Sequence, residues 1–114
     1  DADMCALARE LKEKYKLILL SNISALHFEH IRKKFDIIKI FDELVLSYQV
    51  GAIKPDRKIF DEVIKRAGGN RSGLFYIDDR EDLVKVASEL GIDSVKFESI
   101  DKLRGIMKEK GILA

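Results

Sequence analysis

The feature that most restricts what this chain can fold into is a regular alternation between two hydrophobic periods. Met4, Leu7, Ala8, Leu11 and Tyr15 recur at helical spacing. A short apolar run from Lys16 to Leu20 follows and ends at Ser21-Asn22, which reads as a buried strand and its turn. Phe28, Ile31 and Phe35 mark a second helix, and Glu43–Tyr48 reads as a strand around Leu44, Val45 and Leu46. Beyond Gly51, Pro55 is placed to open a third helix, because the first N–H of a helix needs no partner within it. Ile59, Phe60, Val63, Ile64 and Ala67 give that helix its buried face, and Gly68-Gly69-Asn70 stops it. Leu74–Ile77 is a third strand ending in Asp78-Asp79, Glu81–Leu90 a fourth helix, Ser94–Phe97 a fourth strand and Ile100–Glu109 a last helix.

Helices and strands in strict succession imply crossover connections and a parallel sheet. The expected fold class is α/β: one domain over residues 1–114, a three-layer Rossmann-like arrangement of four parallel strands flanked by about five helices. In such sheets ligands gather at the carboxyl ends of the strands, and three of those ends carry chemistry. Ser21-Asn22 offers a hydroxyl and backbone N–H groups at a strand-to-helix turn, a setting that holds anions; a plainer use of Ser21, Asn22 or Ser24 is to cap the next helix. Lys54 stands at a helix entrance, against the dipole, which suggests an anion nearby; the plainer reading is a solvated lysine. Asp78-Asp79 places two repelling carboxylates at a buried strand's end, which a hard cation such as Mg²⁺ relieves; the plainer reading is one cap and one solvated acid. Together, a hydroxyl, a lysine and an acid pair at successive strand ends are the parts that phosphoryl transfer uses.

Composition removes other classes. The net charge is +1 over 114 residues and the longest basic run is Arg32-Lys33-Lys34, so no field draws nucleic acid or an acidic membrane. No apolar run approaches membrane-spanning length and no signal peptide is visible at the start. The single cysteine, Cys5, allows no internal disulfide. A reducing, cytoplasmic setting is expected. His27 and His30 lie three apart with no third metal ligand near and read as surface residues, while Phe28, Phe35, Phe60 and Phe75 read as core.

Leu-Leu-Ser21-Asn22, then Phe41-Asp42-Glu43-Leu-Val-Leu-Ser47-Tyr48-Gln-Val-Gly51-Ala-Ile-Lys54-Pro55-Asp56-Arg-Lys-Ile59-Phe60, then Phe75-Tyr-Ile-Asp78-Asp79, Ala87 and Leu90-Gly91 resemble the haloacid dehalogenase-like hydrolases, in that family's order, from about residue 5 to residue 98. The resemblance implies a hydrolase of the Mg²⁺-dependent phosphatase branch, acting on a small-molecule phosphate ester. Ser21 and the backbone around Asn22 would bind the phosphoryl group, Lys54 would neutralise its charge and that of the nucleophile, and Asp78 and Asp79 would hold Mg²⁺, with Asp79 its direct contact.

The sequence departs from the family pattern at two places. Leu83 stands where family members often carry Asn or Asp. The nucleophile, first aspartate of an Asp-x-Asp motif on an N-terminal strand, has no counterpart: Asp1-Ala2-Asp3 runs directly into the first helix, and Asp3 reads as its cap. The family's first strand and cap domain are therefore expected to be absent from these residues. Family sheets put that strand between the strands ending at Ser21 and Asp78. Without it the expectation is direct pairing of those two, order 2-1-3-4, or exchange between two chains. An N-terminal segment of the same enzyme or a strand-exchanged dimer is the implied partner. A non-catalytic anion- or partner-binding module on the same scaffold is the alternative function.

Overall fold

The structure, a computed structural model, describes residues 2–54 and 56–114. Six α-helices and four strands follow one another along them: α1 (Ala2–Lys12), β1 (Ile18–Ser21), α2 (Ala25–Lys34), β2 (Glu43–Leu46), α3 (Ser47–Val50), α4 (Arg57–Arg66), β3 (Phe75–Asp78), α5 (Glu81–Glu89), β4 (Asp93–Lys96) and α6 (Ile100–Glu109). Short 3-10 turns at Asp36–Ile40 and Arg71–Gly73 precede β2 and β3.

Two faces bury different residues of the strands, as a period of two requires. Phe75 and Ile77 of β3 and Val95 of β4 pack with Leu7 of α1 and Leu103 and Met107 of α6. Ile18 and Leu20 of β1, Val45 of β2 and Tyr76 of β3 pack instead with Ile59, Phe60 and Ile64 of α4 and Ala87 of α5. The result is three layers, helix, strand, helix, as the alternation implies.

The strand pairing differs from the expected order. β1 pairs in parallel with β2, Ile18 opposite Glu43 through Ser21 opposite Leu46, and β3 pairs in parallel with β4, Phe75 opposite Asp93 through Asp78 opposite Lys96. These are two separate two-stranded sheets, so the described strands do not form one four-stranded sheet of order 2-1-3-4. Between β1 and β3 lies a cavity of about 550 Å³, lined by Leu17–Leu20 and Leu74–Asp78, with Leu7 and Leu11 of α1 on one face and Phe60 and Val63 of α4 on the other. It has strands on two sides and helices above and below, the outline of one further strand. Layer packing explains why the halves do not close onto each other. The cluster around Phe60 and Ile59 grips side chains of β1, β2 and β3 at once, so α4 and α5 set the spacing of the two sheets.

Other sequence expectations are refined. β2 stops at Leu46, and Ser47–Val50 turns into a helix that Gly51 ends in the left-handed region at φ +78°. α1 begins at Ala2, which places Asp3 within its first turn instead of at its cap. The roles read for Asp1 and Pro55 fall outside the described residues; Asp56 caps α4, accepting from the Lys58 N–H at 2.9 Å. Phe35 is exposed at the end of α2, under the Lys34 ammonium, and does not join the core. Leu83 is 1% exposed: an apolar core residue of α5 stands where a polar group was looked for. His27 and His30 are exposed, as expected.

Candidate active site

The carboxyl ends of β1 and β3 bring most of the anticipated residues together. Ser21 is the last residue of β1 and Asp78 the last of β3. Of the three residues read as candidate caps, Ser24 caps α2, accepting from the His27 N–H at 3.2 Å. The Asn22 side chain reaches another loop. Its Oδ1 accepts from the Lys54 backbone N–H at 2.7 Å and its Nδ2 donates to the Lys54 carbonyl at 3.3 Å. This two-point contact fixes the Lys54 loop beside the end of β1, across 32 residues of chain.

Lys54 is not a solvated lysine. Its side chain is 14% exposed and its Nζ lies 3.2 Å from Asp78 Oδ2, in a carboxylate only 11% exposed. Asp78 also accepts from the Tyr76 hydroxyl at Oδ2 and from the Arg80 N–H at Oδ1. Burial pushes the Asp78 carboxyl up, but the hydrogen bonds from Tyr76 and Arg80 and the charge of Lys54 outweigh it and hold the group below the ordinary aspartate range. Burial first, and then the bond to Asp78, push the Tyr76 phenol far above its usual value, so it is a neutral donor at any physiological pH. The cap position of α5 is Arg80, which leaves Asp79 and Asp78 one and two residues before the cap. Asp79 is exposed, and with Asp78, Met4, Ile77 and Phe97 it borders a shallow pocket of about 300 Å³.

The sign of the Asp78 shift sets an acid-stability expectation. A carboxyl lowered on folding contributes stability that is present above its unfolded value, about 3.9, and lost as pH falls through the lower folded value. Asp78→Asn is therefore expected to flatten part of the acid limb of a melting-temperature profile below about pH 4, with little change in its shape near neutrality. An acid limb identical to that of the parent would show that the Asp78 contacts do not favour its ionised form.

The residues present suit a divalent ion. Mg²⁺ keeps several waters and takes one or two carboxylates plus substrate oxygens, and the Asp78–Asp79 pair offers one free-facing carboxylate beside one held by three donors. Among the described residues no group of three or more His, Cys, Asp or Glu comes together as a closed metal cage.

Two contributors had no clear signal in the sequence. Ser47 is buried, and its Oγ accepts from the Ile23 N–H at 2.8 Å and donates to the Ile23 carbonyl at 3.0 Å, pinning the loop that follows Ser21-Asn22. Ser47→Ala would leave both backbone groups without that partner and is expected to cost about 1–3 kcal/mol, read from urea unfolding. A change below a few tenths of a kcal/mol would mean that water replaces the hydroxyl. The second is Tyr76, whose apolar neighbours Phe75 and Ile77 make it look like one more core aromatic.

Residues 3–97 match the profile of a family described as haloacid dehalogenase-like hydrolase. The chain is 35% identical over 85 residues to a drimenol cyclase from Aspergillus calidoustus, covering 75% of this chain and 16% of that protein. It is 30% identical over 95 residues to a D-ribitol-5-phosphate phosphatase from Bacteroides thetaiotaomicron, covering 78% of this chain and 46% of that one. A solved haloacid dehalogenase family enzyme from Bacteroides thetaiotaomicron, in complex with magnesium and inorganic phosphate, superposes with a TM-score of 0.77 at 34% identity, over 86% of this chain and 53% of that one. The chain thus spans less than half the length of these curated relatives. With Ser21, Asn22, Lys54, Asp78 and Asp79 all inside the matched residues, the chain belongs to the haloacid dehalogenase-like hydrolase family.

Proposed function

We propose that these residues form the phosphate-handling part of a Mg²⁺-dependent hydrolase of small-molecule phosphate esters. The observation that carries the reading is the Lys54–Asp78 pair, tied through Asn22 to the end of β1 where Ser21 sits. A fixed cation, a hydroxyl and an acid pair around the carboxyl ends of β1 and β3 are suited to the charge on a phosphoryl group. The Ser21 hydroxyl and nearby backbone N–H groups donate to phosphoryl oxygens. Lys54 supplies positive charge beside them, and its tie to Asp78 limits the wandering of its long side chain. Asp79, with Asp78 behind it, holds the ion. Mg²⁺, when bound, supplies Lewis-acid neutralisation of the phosphoryl charge. The phosphatase and the Mg²⁺- and phosphate-bound structure among the relatives support the assignment.

None of these side chains is the attacking group. The nucleophile is assigned to an aspartate at the end of a strand lying in the space between β1 and β3, supplied by another segment of the enzyme or by a second chain. The test is phosphate release from p-nitrophenyl phosphate by a polypeptide that includes such a strand, with and without Mg²⁺. Release that needs Mg²⁺ and is lost in Asp79→Ala is expected; release indifferent to both rejects the assignment. A polypeptide that binds orthophosphate but never releases it from an ester would favour the non-catalytic binding module.

A further inference from the structure

Tyr76 lies two residues before Asp78 on β3, so the two side chains share a face. Its ring meets Phe60 edge-on, with centroids 5.6 Å apart and an interplanar angle of 85°, and Phe60 is 1% exposed on α4. That leaves the phenol little freedom, and it aims its hydroxyl at Asp78 Oδ2, 2.5 Å away. The same oxygen receives the Lys54 ammonium at 3.2 Å, while Oδ1 receives the Arg80 N–H at 3.0 Å. A phenylalanine would fill the ring's place as well. A partly buried hydroxyl is costly without a partner, and the partner this one has is the carboxylate of the site.

We infer that Tyr76 is a positioning residue: clamped by Phe60, its hydroxyl holds the Asp78 carboxylate toward Lys54 and so divides the acid pair into an inner member tied to the lysine and an outer member, Asp79, facing the pocket. This rests on and deepens the phosphatase reading above. Lysine on its own, a flexible stem ending in a point charge, is a poor orienting partner; a phenol with two torsions is a good one. The held carboxylate is then an outer support for the ion that Asp79 contacts, and loss of such supports weakens metal affinity while leaving the fold in place.

The experiment uses the 114-residue chain and Tyr76→Phe, which keeps the ring. In the parent, NMR is expected to show a Tyr76 hydroxyl proton protected from exchange and near the Asp78 methylene, and Asp78→Ala is expected to release it to solvent. Mn²⁺ serves as the probe ion: Tyr76→Phe is expected to raise its dissociation constant about tenfold with a cooperative melt retained and lowered only as far as loss of one hydrogen bond requires, a split that loss of packing would not give. A hydroxyl that exchanges freely in the parent, or equal Mn²⁺ affinity in the two proteins, overturns the inference. A protected hydroxyl in a chain that binds no Mn²⁺ at millimolar concentration overturns the metal part of the proposed function and leaves the hold of Tyr76 on Asp78 standing.

Discussion

These 114 residues on their own are expected to release no phosphate from an aryl phosphate in the presence of Mg²⁺, and to gain turnover when an extended apolar strand ending in aspartate occupies the space between β1 and β3. In the proposed role Ser21, Lys54 and the acid pair would stabilise charge, but an in-line nucleophile is what converts such stabilisation into rate. Correct placement of the reacting groups accounts for about 7–11 kcal/mol of a barrier in well-oriented systems, so the expected change is from background to readily measured turnover. The receiving space is suited to the task. β1 and β3 each have one ladder partner among the described residues, on the side away from the cavity. Their facing edges carry backbone N–H and C=O groups, each worth about 0.5–1.5 kcal/mol net once paired, and the walls from Leu7, Leu11, Phe60 and Val63 are apolar. A strand there would be buried on both faces, so it should read as a continuous apolar run. Phosphate release and amide exchange across β1 and β3 are the measurements. Turnover by the 114 residues alone that vanishes in Asp79→Ala would place a nucleophile among them and refute this expectation.

Lys54→Met in a polypeptide with measurable turnover is expected to lower kcat by about 10²–10³, the range seen when one preorganised charge-stabilising donor is removed from an active site. The lysine is pinned at both ends, by the Asn22 amide at its backbone and by Asp78 at its ammonium. Its charge is therefore in place before any substrate arrives, and its loss cannot be made good by a mobile neighbour. Stability should fall as well, by about 1–3 kcal/mol, because Asp78 keeps its Tyr76 and Arg80 donors but loses its counter-charge; complete loss of a partner from a fully buried pair costs more. Steady-state kinetics with an aryl phosphate and urea unfolding separate the two effects. A kcat within a few-fold of the parent would remove Lys54 from the charge-stabilising role.

Much of the site was legible because strand ends are local features. The apolar run before Ser21 and the one before Asp78 end where their hydrophobic pattern ends, so the two strand ends follow from alternation alone. Lys54 stood out because a cation at a helix entrance runs against the dipole, and the structure shows its counter-charge. In the sequence Ser47 reads as the continuation of β2, since Leu44, Val45 and Leu46 carry an extended pattern into it. Its inward turn depends on a hydrogen-bond partner 24 residues away. The Asn22 contact, spanning 32 residues, was hidden for the same reason.

The sequence by itself determined the order of elements apart from the one-turn α3, the buried face of most of them and the polar ends of β1 and β3, because each depends on residues within a few positions of one another. Only the tertiary structure decided which strands pair, that α4 and α5 hold two half-sheets apart around a strand-sized space, that Leu83 is core, and that Tyr76 answers to Asp78. Those are outcomes of packing between distant segments, where the shape left by one layer dictates how close the next can come, and no local pattern encodes that distance.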